Sequence, residues 1–127
     1  MELPALITLL LLVQYIYFVA MTGRARGTLG IHPPAVTGNE TFERRLRIQL
    51  NTLEQLIITI PAIWLCSVYF RPDVAAGIGS VFLVGRFLYG VTYLSDPRKR
   101  GPGMVISFFS NIALVILALG GLTSKMF

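Results

Sequence analysis

Four apolar stretches, Leu3–Thr22, Leu46–Phe70, Val74–Leu94 and Met104–Leu122, leave this chain few ways to fold. Each is close to the ~20 residues with which a helix crosses a hydrocarbon core ~30 Å thick. Together they take up most of the 127 residues, so little chain remains for a separate soluble domain. Charged residues make up only 13% of the sequence, against roughly 25% in soluble domains. In lipid the backbone must satisfy its own hydrogen bonds, which helices do within one segment. The sequence therefore predicts an all-α integral membrane protein, a single bundle of four helices over 3–24, 42–70, 74–95 and 102–123. The first stretch opens on Glu2 rather than on a basic segment and exceeds the ~7–15 apolar residues of a secretory signal, so it reads as a span.

The connections carry the charge. "TGRARGTLGIHPPAVTGNETF" (22–42) separates the first two spans, "RPDVAAG" (71–77) is a tight reversal, and "SDPRKRGPG" (95–103) joins the last two. With four spans, the first and third connections share a side. That side holds Arg24, Arg26, Arg44, Arg45, Arg98, Lys99 and Arg100, while the other holds Arg71 and Lys125. The bias of Lys and Arg toward the cytoplasm makes the basic side cytoplasmic. The net charge of +5 is then a matter of sidedness, and no nucleic-acid partner is expected. Asn39 or Thr41 is placed to cap the second helix. The acceptor pattern Asn39-Glu40-Thr41 should stay unmodified on that side. Cys66, the only cysteine, lies in an apolar run and reads as a small packing residue. His32, the only histidine, sits beside prolines in the first connection. No grouping of side chains suggests a metal.

Polar residues inside the spans need an explanation. At about 100° per residue, Arg47, Asn51 and Glu54 fall within about 60° of one another on the second helix. Gln49 and Gln55 flank that face, Gln49 further off. Leu46, Leu50, Leu53 and Ile57 form a separate apolar stripe. In the third span Arg86, Tyr89 and Tyr93 share a face. An ionisable group in a span costs roughly 2.5–3.5 kcal/mol on insertion scales, so these groups should face protein or water. Arg86 is expected to find a carboxylate, and Glu54 is the acidic residue at similar depth. Two readings fit: polar contacts holding helices together, at about 0.6 kcal/mol each, or a binding site. Several guanidiniums on one face favour an anionic ligand, because the arginine fork matches a carboxylate.

These residues also resemble a known family. "HPPAVTG", "FERRLRIQLNTLEQ" followed by an apolar run with Pro61, and "GRFLYGVTYLSDPRKRGPG" together resemble the MAPEG family, membrane-associated proteins in eicosanoid and glutathione metabolism. The resemblance covers nearly the whole chain, and its third connection is most similar to the microsomal glutathione transferase branch. It implies a homotrimer of four-helix protomers with glutathione bound between adjacent protomers near the cytoplasmic ends of the helices. Arg47, Asn51 and Glu54 match glutathione-binding positions, as do Gln49, Arg26, Tyr89 and Tyr93. Arg86 matches a structural arginine. Arg100 matches the arginine that holds the thiolate. Gln55 departs from the pattern, since several members have tyrosine there.

The implied activity is conjugation of glutathione, as co-substrate, to lipophilic electrophiles in the bilayer, with peroxidase activity on lipid hydroperoxides as a companion expectation. A leukotriene C4 synthase-like opening of an epoxide is the same chemistry on a narrower substrate. A non-enzymatic lipid-binding scaffold of the same family is the alternative from another class.

Overall fold

The computed structural model describes residues 1–127 as four helices: α1 (Glu2–Leu29), α2 (Glu40–Tyr69), α3 (Pro72–Ser95) and α4 (Gly101–Met126). A single 3-10 turn, Pro97–Lys99, precedes α4. Each long helix is long and apolar enough to cross a membrane. α1 runs past its apolar stretch, through Gly23 and Gly27, and ends where Gly30 adopts φ 69° and turns its N–H back to the Arg26 carbonyl. Asn39 caps α2 by accepting from the Phe42 N–H at 3.2 Å. Pro72 and Pro102 lie in the first turns of α3 and α4, where a missing N–H costs nothing.

α2 and α3 form the central pair; α1 and α4 each lie against both of them. The interior is apolar around Leu11, Ile63, Phe82 and Leu114, all without accessible surface. Only 31 of 127 residues are buried, and Ile57, Val91 and Phe109 are each more than 60% exposed. So much exposed apolar surface suits hydrocarbon and not water. The inside of the bundle is correspondingly rich in small and polar side chains, including Thr52, Thr59, Ser67, Ser107, Ser110 and Asn111.

Between solvated helices, apolar burial drives association. Between helices already in lipid that drive is absent, and close backbone approach replaces it. α3 and α4 meet in this way. A methyl group at Gly103 would lie 2.5 Å from the Tyr89 backbone nitrogen, and one at Gly85 would lie 2.7 Å from Ile106 Cγ2. Gly120, on the same α4, has open space around it. Gly103→Ala should therefore push α4 off α3 and lower stability in detergent by about 1–3 kcal/mol, whereas Gly120→Ala should be neutral or gain up to ~1 kcal/mol. Equal thermal unfolding midpoints for the two variants would contradict the close α3–α4 contact.

Candidate functional site: a polar face of helices 2 and 3

Arg86 is the centre of the polar cluster and is 1% exposed. Its Nε donates to Ser107 Oγ of α4 at 3.0 Å. Its Nη1 donates to Asn51 Oδ1 at 2.8 Å and to Thr52 Oγ1 at 3.4 Å, both on α2. The guanidinium carbon lies 4.2 Å from the ring centre of Tyr89 and 5.7 Å from that of Phe82. The expected carboxylate partner is not there. Glu54 is exposed, and the three ion pairs of the chain, Arg44–Glu40, Arg71–Asp73 and Arg98–Asp96, include neither Glu54 nor Arg86. The reason is geometric. Asn51 and Thr52 turn toward α3 while Glu54 turns outward, and neutral oxygens with two ring faces meet the donors of Arg86.

This arrangement orients Asn51. Its Oδ1 is occupied by Arg86, so the half-buried amide presents its Nδ2 donors to an incoming acceptor. Tyr89 is buried, and its ring stacks on that of Tyr93 with centres 5.5 Å apart. Asn51, Arg86, Tyr89 and Tyr93 are thus one contiguous group. Arg47 and Glu54 lie on the exposed side of α2 beside it.

Arg26 and Gln49 are not part of that group within one chain. Arg26 donates from Nη1 to the Ala35 carbonyl at 2.8 Å and lies 4.6 Å from the centre of the Phe42 ring, holding the first connection against the end of α1. Gln49 is half-buried on another side of α2. Arg100, exposed at the start of α4, donates from Nη1 to the Pro97 carbonyl at 3.0 Å.

Two features escape a reading of the sequence. Gln55 accepts at Oε1 from Asn111 Nδ2 at 2.9 Å, and Thr59 Oγ1 lies 2.6 Å from Asn111 Oδ1. Through these contacts Gln55 and Thr59 tie α2 to α4. The signal was present on α4, where Ser107, Ser110 and Asn111 recur at helical spacing in an apolar run. The second feature is Arg44, whose guanidinium reaches the last carbonyls of α3. Nothing in the α3 sequence announces it.

Below α3, Asp96 caps the short turn. Its Oδ1 accepts from the Arg98 backbone N–H at 3.0 Å and from Arg98 Nε at 3.3 Å.

Fold and site together define a class: an integral membrane four-helix protein whose polar face is built from α2 and α3 around a buried arginine. The profile of the MAPEG family matches residues 4–120, and the chain belongs to that family. It is similar to microsomal glutathione S-transferase 2 of Homo sapiens, 36% identical over 121 residues, covering 95% of this chain and 82% of the human one. The Mus musculus protein of the same name is 37% identical over 124 residues, covering 98% and 84%. An uncharacterised protein of Synechocystis sp. is 47% identical over 116 residues, covering 91% and 85%.

The backbone N–H of Arg98, followed by its side chain, holds the Asp96 carboxyl below its usual 3.8. A depressed carboxyl pKa stabilises the fold above the unfolded value, and that contribution is lost as pH falls through the folded one. The Asp96 carboxyl carbon, followed by NMR, should therefore titrate below 3.8. The Arg98 amide should shift with the same midpoint. A midpoint at or above the free value would mean the cap does not form.

Proposed function

We propose that this protein is a membrane glutathione transferase that joins the thiolate of glutathione to lipophilic electrophiles, at sites between the protomers of a homotrimer. The observation that carries this reading is the outward face of α2. Arg47 and Glu54 stand exposed and unpaired next to an Asn51 whose amide donors are turned outward by Arg86. Glutathione has two carboxylates, one ammonium, two peptide units and one thiol. Arg47 suits a carboxylate, Glu54 the ammonium, and Asn51 Nδ2 a carbonyl or carboxylate oxygen. Arg26 and Gln49 lie elsewhere on the protomer, so they reach the same ligand only from a neighbouring copy. Exposed charges at span depth support assembly too, because each is costly against lipid.

The reactive species is the thiolate. A free thiol has a pKa of ~8.5, and each unit by which a neighbouring cation lowers it is worth about 1.4 kcal/mol. A guanidinium has donors and no acceptor, so Arg100 does not remove the proton. It stabilises the sulfur anion while the thiol proton passes to water. Sulfur then forms a bond to the electrophilic carbon, and a leaving group departs or an epoxide C–O bond opens. Reduction of a lipid hydroperoxide by two glutathiones, giving an alcohol, water and a disulfide, uses the same thiolate. The basic connections and the mouth of the site face the cytoplasm, where Lys and Arg concentrate. The lipid-binding scaffold reading accounts less well for Arg100 and for the full Arg47, Asn51 and Glu54 set, which it does not require.

Arg100→Ala should raise the apparent pKa of bound glutathione, read from the ultraviolet thiolate band, and lower kcat with little change in KM for glutathione. Arg47→Ala should raise that KM first. A charged hydrogen bond of about 1.5–3 kcal/mol puts each effect at roughly 10- to 150-fold. An unchanged thiolate pKa and rate in Arg100→Ala would remove Arg100 from the chemistry.

Native mass spectrometry from detergent should show three copies, and an active monomer would refute the shared site. Cysteines placed at Thr28 and Val74 should label from opposite sides of sealed vesicles, with Thr28 on the cytoplasmic side.

A further inference from the structure

A helix leaves its last carbonyls without intrahelical donors, and a basic side chain in its last turn commonly serves them. α3 has no basic residue in its last turn. Its terminal carbonyls are served from another helix. Arg44 of α2 donates from Nη1 to the Leu94 carbonyl at 2.9 Å and to the Ser95 carbonyl at 3.2 Å. Its Nη2 is paired with Glu40, one turn earlier on α2. The Nε is buried without an acceptor, so the side chain is held by its tip alone. The planar fork is rigid, so three contacts fix its orientation. The end of α3 is thereby pinned to α2.

From Ser95 to Arg100 the chain is held by a run of hydrogen-bonded turns. Lys99 N donates to the Asp96 carbonyl at 2.9 Å, and Arg100 N donates to the Pro97 carbonyl at 3.3 Å. Asp96 caps the turn through Arg98 N. Arg100 Nη1 rests on the Pro97 carbonyl, and the Arg100 carbonyl accepts the Met104 N–H that starts α4. Through these bonds a displacement of Ser95 would be passed on to Arg100. Arg44 also precedes Arg47 by three residues, on the neighbouring face of α2. The helix proposed to bind the tripeptide is therefore the one that sets where the turn lies.

We propose that Arg44 is a positioning residue: by gripping the Leu94 and Ser95 carbonyls it holds the Asp96–Arg100 turn so that Arg100 reaches the glutathione sulfur. This inference rests on the assignment of Arg100 to the thiolate. Arg44 touches no ligand in it and acts only through Arg100.

The test is a double-mutant cycle on the full chain in detergent or lipid discs, comparing wild type, Arg44→Gln, Arg100→Ala and the double variant. Each is scored by the thiolate pKa of bound glutathione, kcat and KM. Arg44→Gln should raise the thiolate pKa and lower kcat by roughly 10- to 100-fold, since a misplacement of about 1 Å can cost about 100-fold. KM for glutathione should stay within about threefold. In the Arg100→Ala background the same change should add almost nothing, because residues that act as one unit are not additive.

Arg44→Lys, which keeps a charged donor but no fork, should recover part of the rate. Glu40→Gln, at an exposed position, should give a smaller shift of the same sign. These two variants decide the matter if Arg44→Gln does not fold. An unchanged thiolate pKa in the Arg44 variants, or equal losses in both backgrounds, would overturn the positioning role while leaving Arg100 in place. A wild-type thiolate pKa in Arg100→Ala would instead overturn the assignment of Arg100, and the role of Arg44 with it.

Discussion

A guanidinium buried in a bundle within lipid is the constraint around which the rest of this structure is arranged. The Arg86 guanidinium carries donors and no acceptor, and leaving those donors unmet would cost far more than a typical contact returns. The chain meets this demand without a carboxylate. Ser107, Asn51 and Thr52 supply oxygens from two other helices, and Tyr89 and Phe82 supply ring faces. One side chain thus fixes the relative positions of α2, α3 and α4. A carboxylate in that place would have balanced the charge. Its absence leaves the interior of the protomer positive beside an outward polar face.

The same helices are tied again one turn further from the basic end. There Gln55, Asn111 and Thr59 form a neutral hydrogen-bonded set. Glycine contacts flank the first of these layers, with Gly85 against Ile106 beside it and Gly103 against Tyr89 toward the basic end. In a membrane this is a coherent economy. Apolar residues face outward, where they cost nothing, and directional contacts select one packing inside. Polar layers cannot slide past one another without leaving donors unmet, so they set register as well as affinity between helices.

The fold was legible in the sequence because its signal is long and redundant. Four apolar stretches of spanning length exclude most other architectures by themselves. Side-chain partners were less legible. Periodicity puts Asn51 and Arg86 on the polar faces of their helices but does not say that they meet. It also suggested Glu54 for Arg86 because it weighs charge and depth, while the choice is made by direction about the helix axis. Thr52 and Ser107 give no sign in the sequence because a single hydroxyl in a span ordinarily satisfies itself on its own helix. Ser107 does so too, donating to the Gly103 carbonyl at 2.8 Å while its oxygen accepts from Arg86. Arg44 was hidden for another reason. Its partners are backbone carbonyls some fifty positions away, and backbone carbonyls have no sequence.

The positive interior bears on what the outer face can bind. Arg26, Arg47, Arg86 and Arg100 are four cations, and Glu54 is the one carboxylate among the candidate site residues. In the proposed assembly a site drawing on two copies therefore carries an excess of three positive charges. Neutral glutathione thiol brings two carboxylates and one ammonium, a net charge of −1, and the thiolate form brings −2. Ionising the thiol moves the site closer to neutrality, so the charge imbalance that Arg86 leaves uncorrected itself favours the reactive form. In the proposed site Arg100 would add a local, directional part to that field. In low dielectric such a field acts over several ångströms with little screening. A protomer that had paired Arg86 with Glu54 would be easier to assemble alone, but it would have used up both the field and the one carboxylate proposed for the ammonium of the tripeptide.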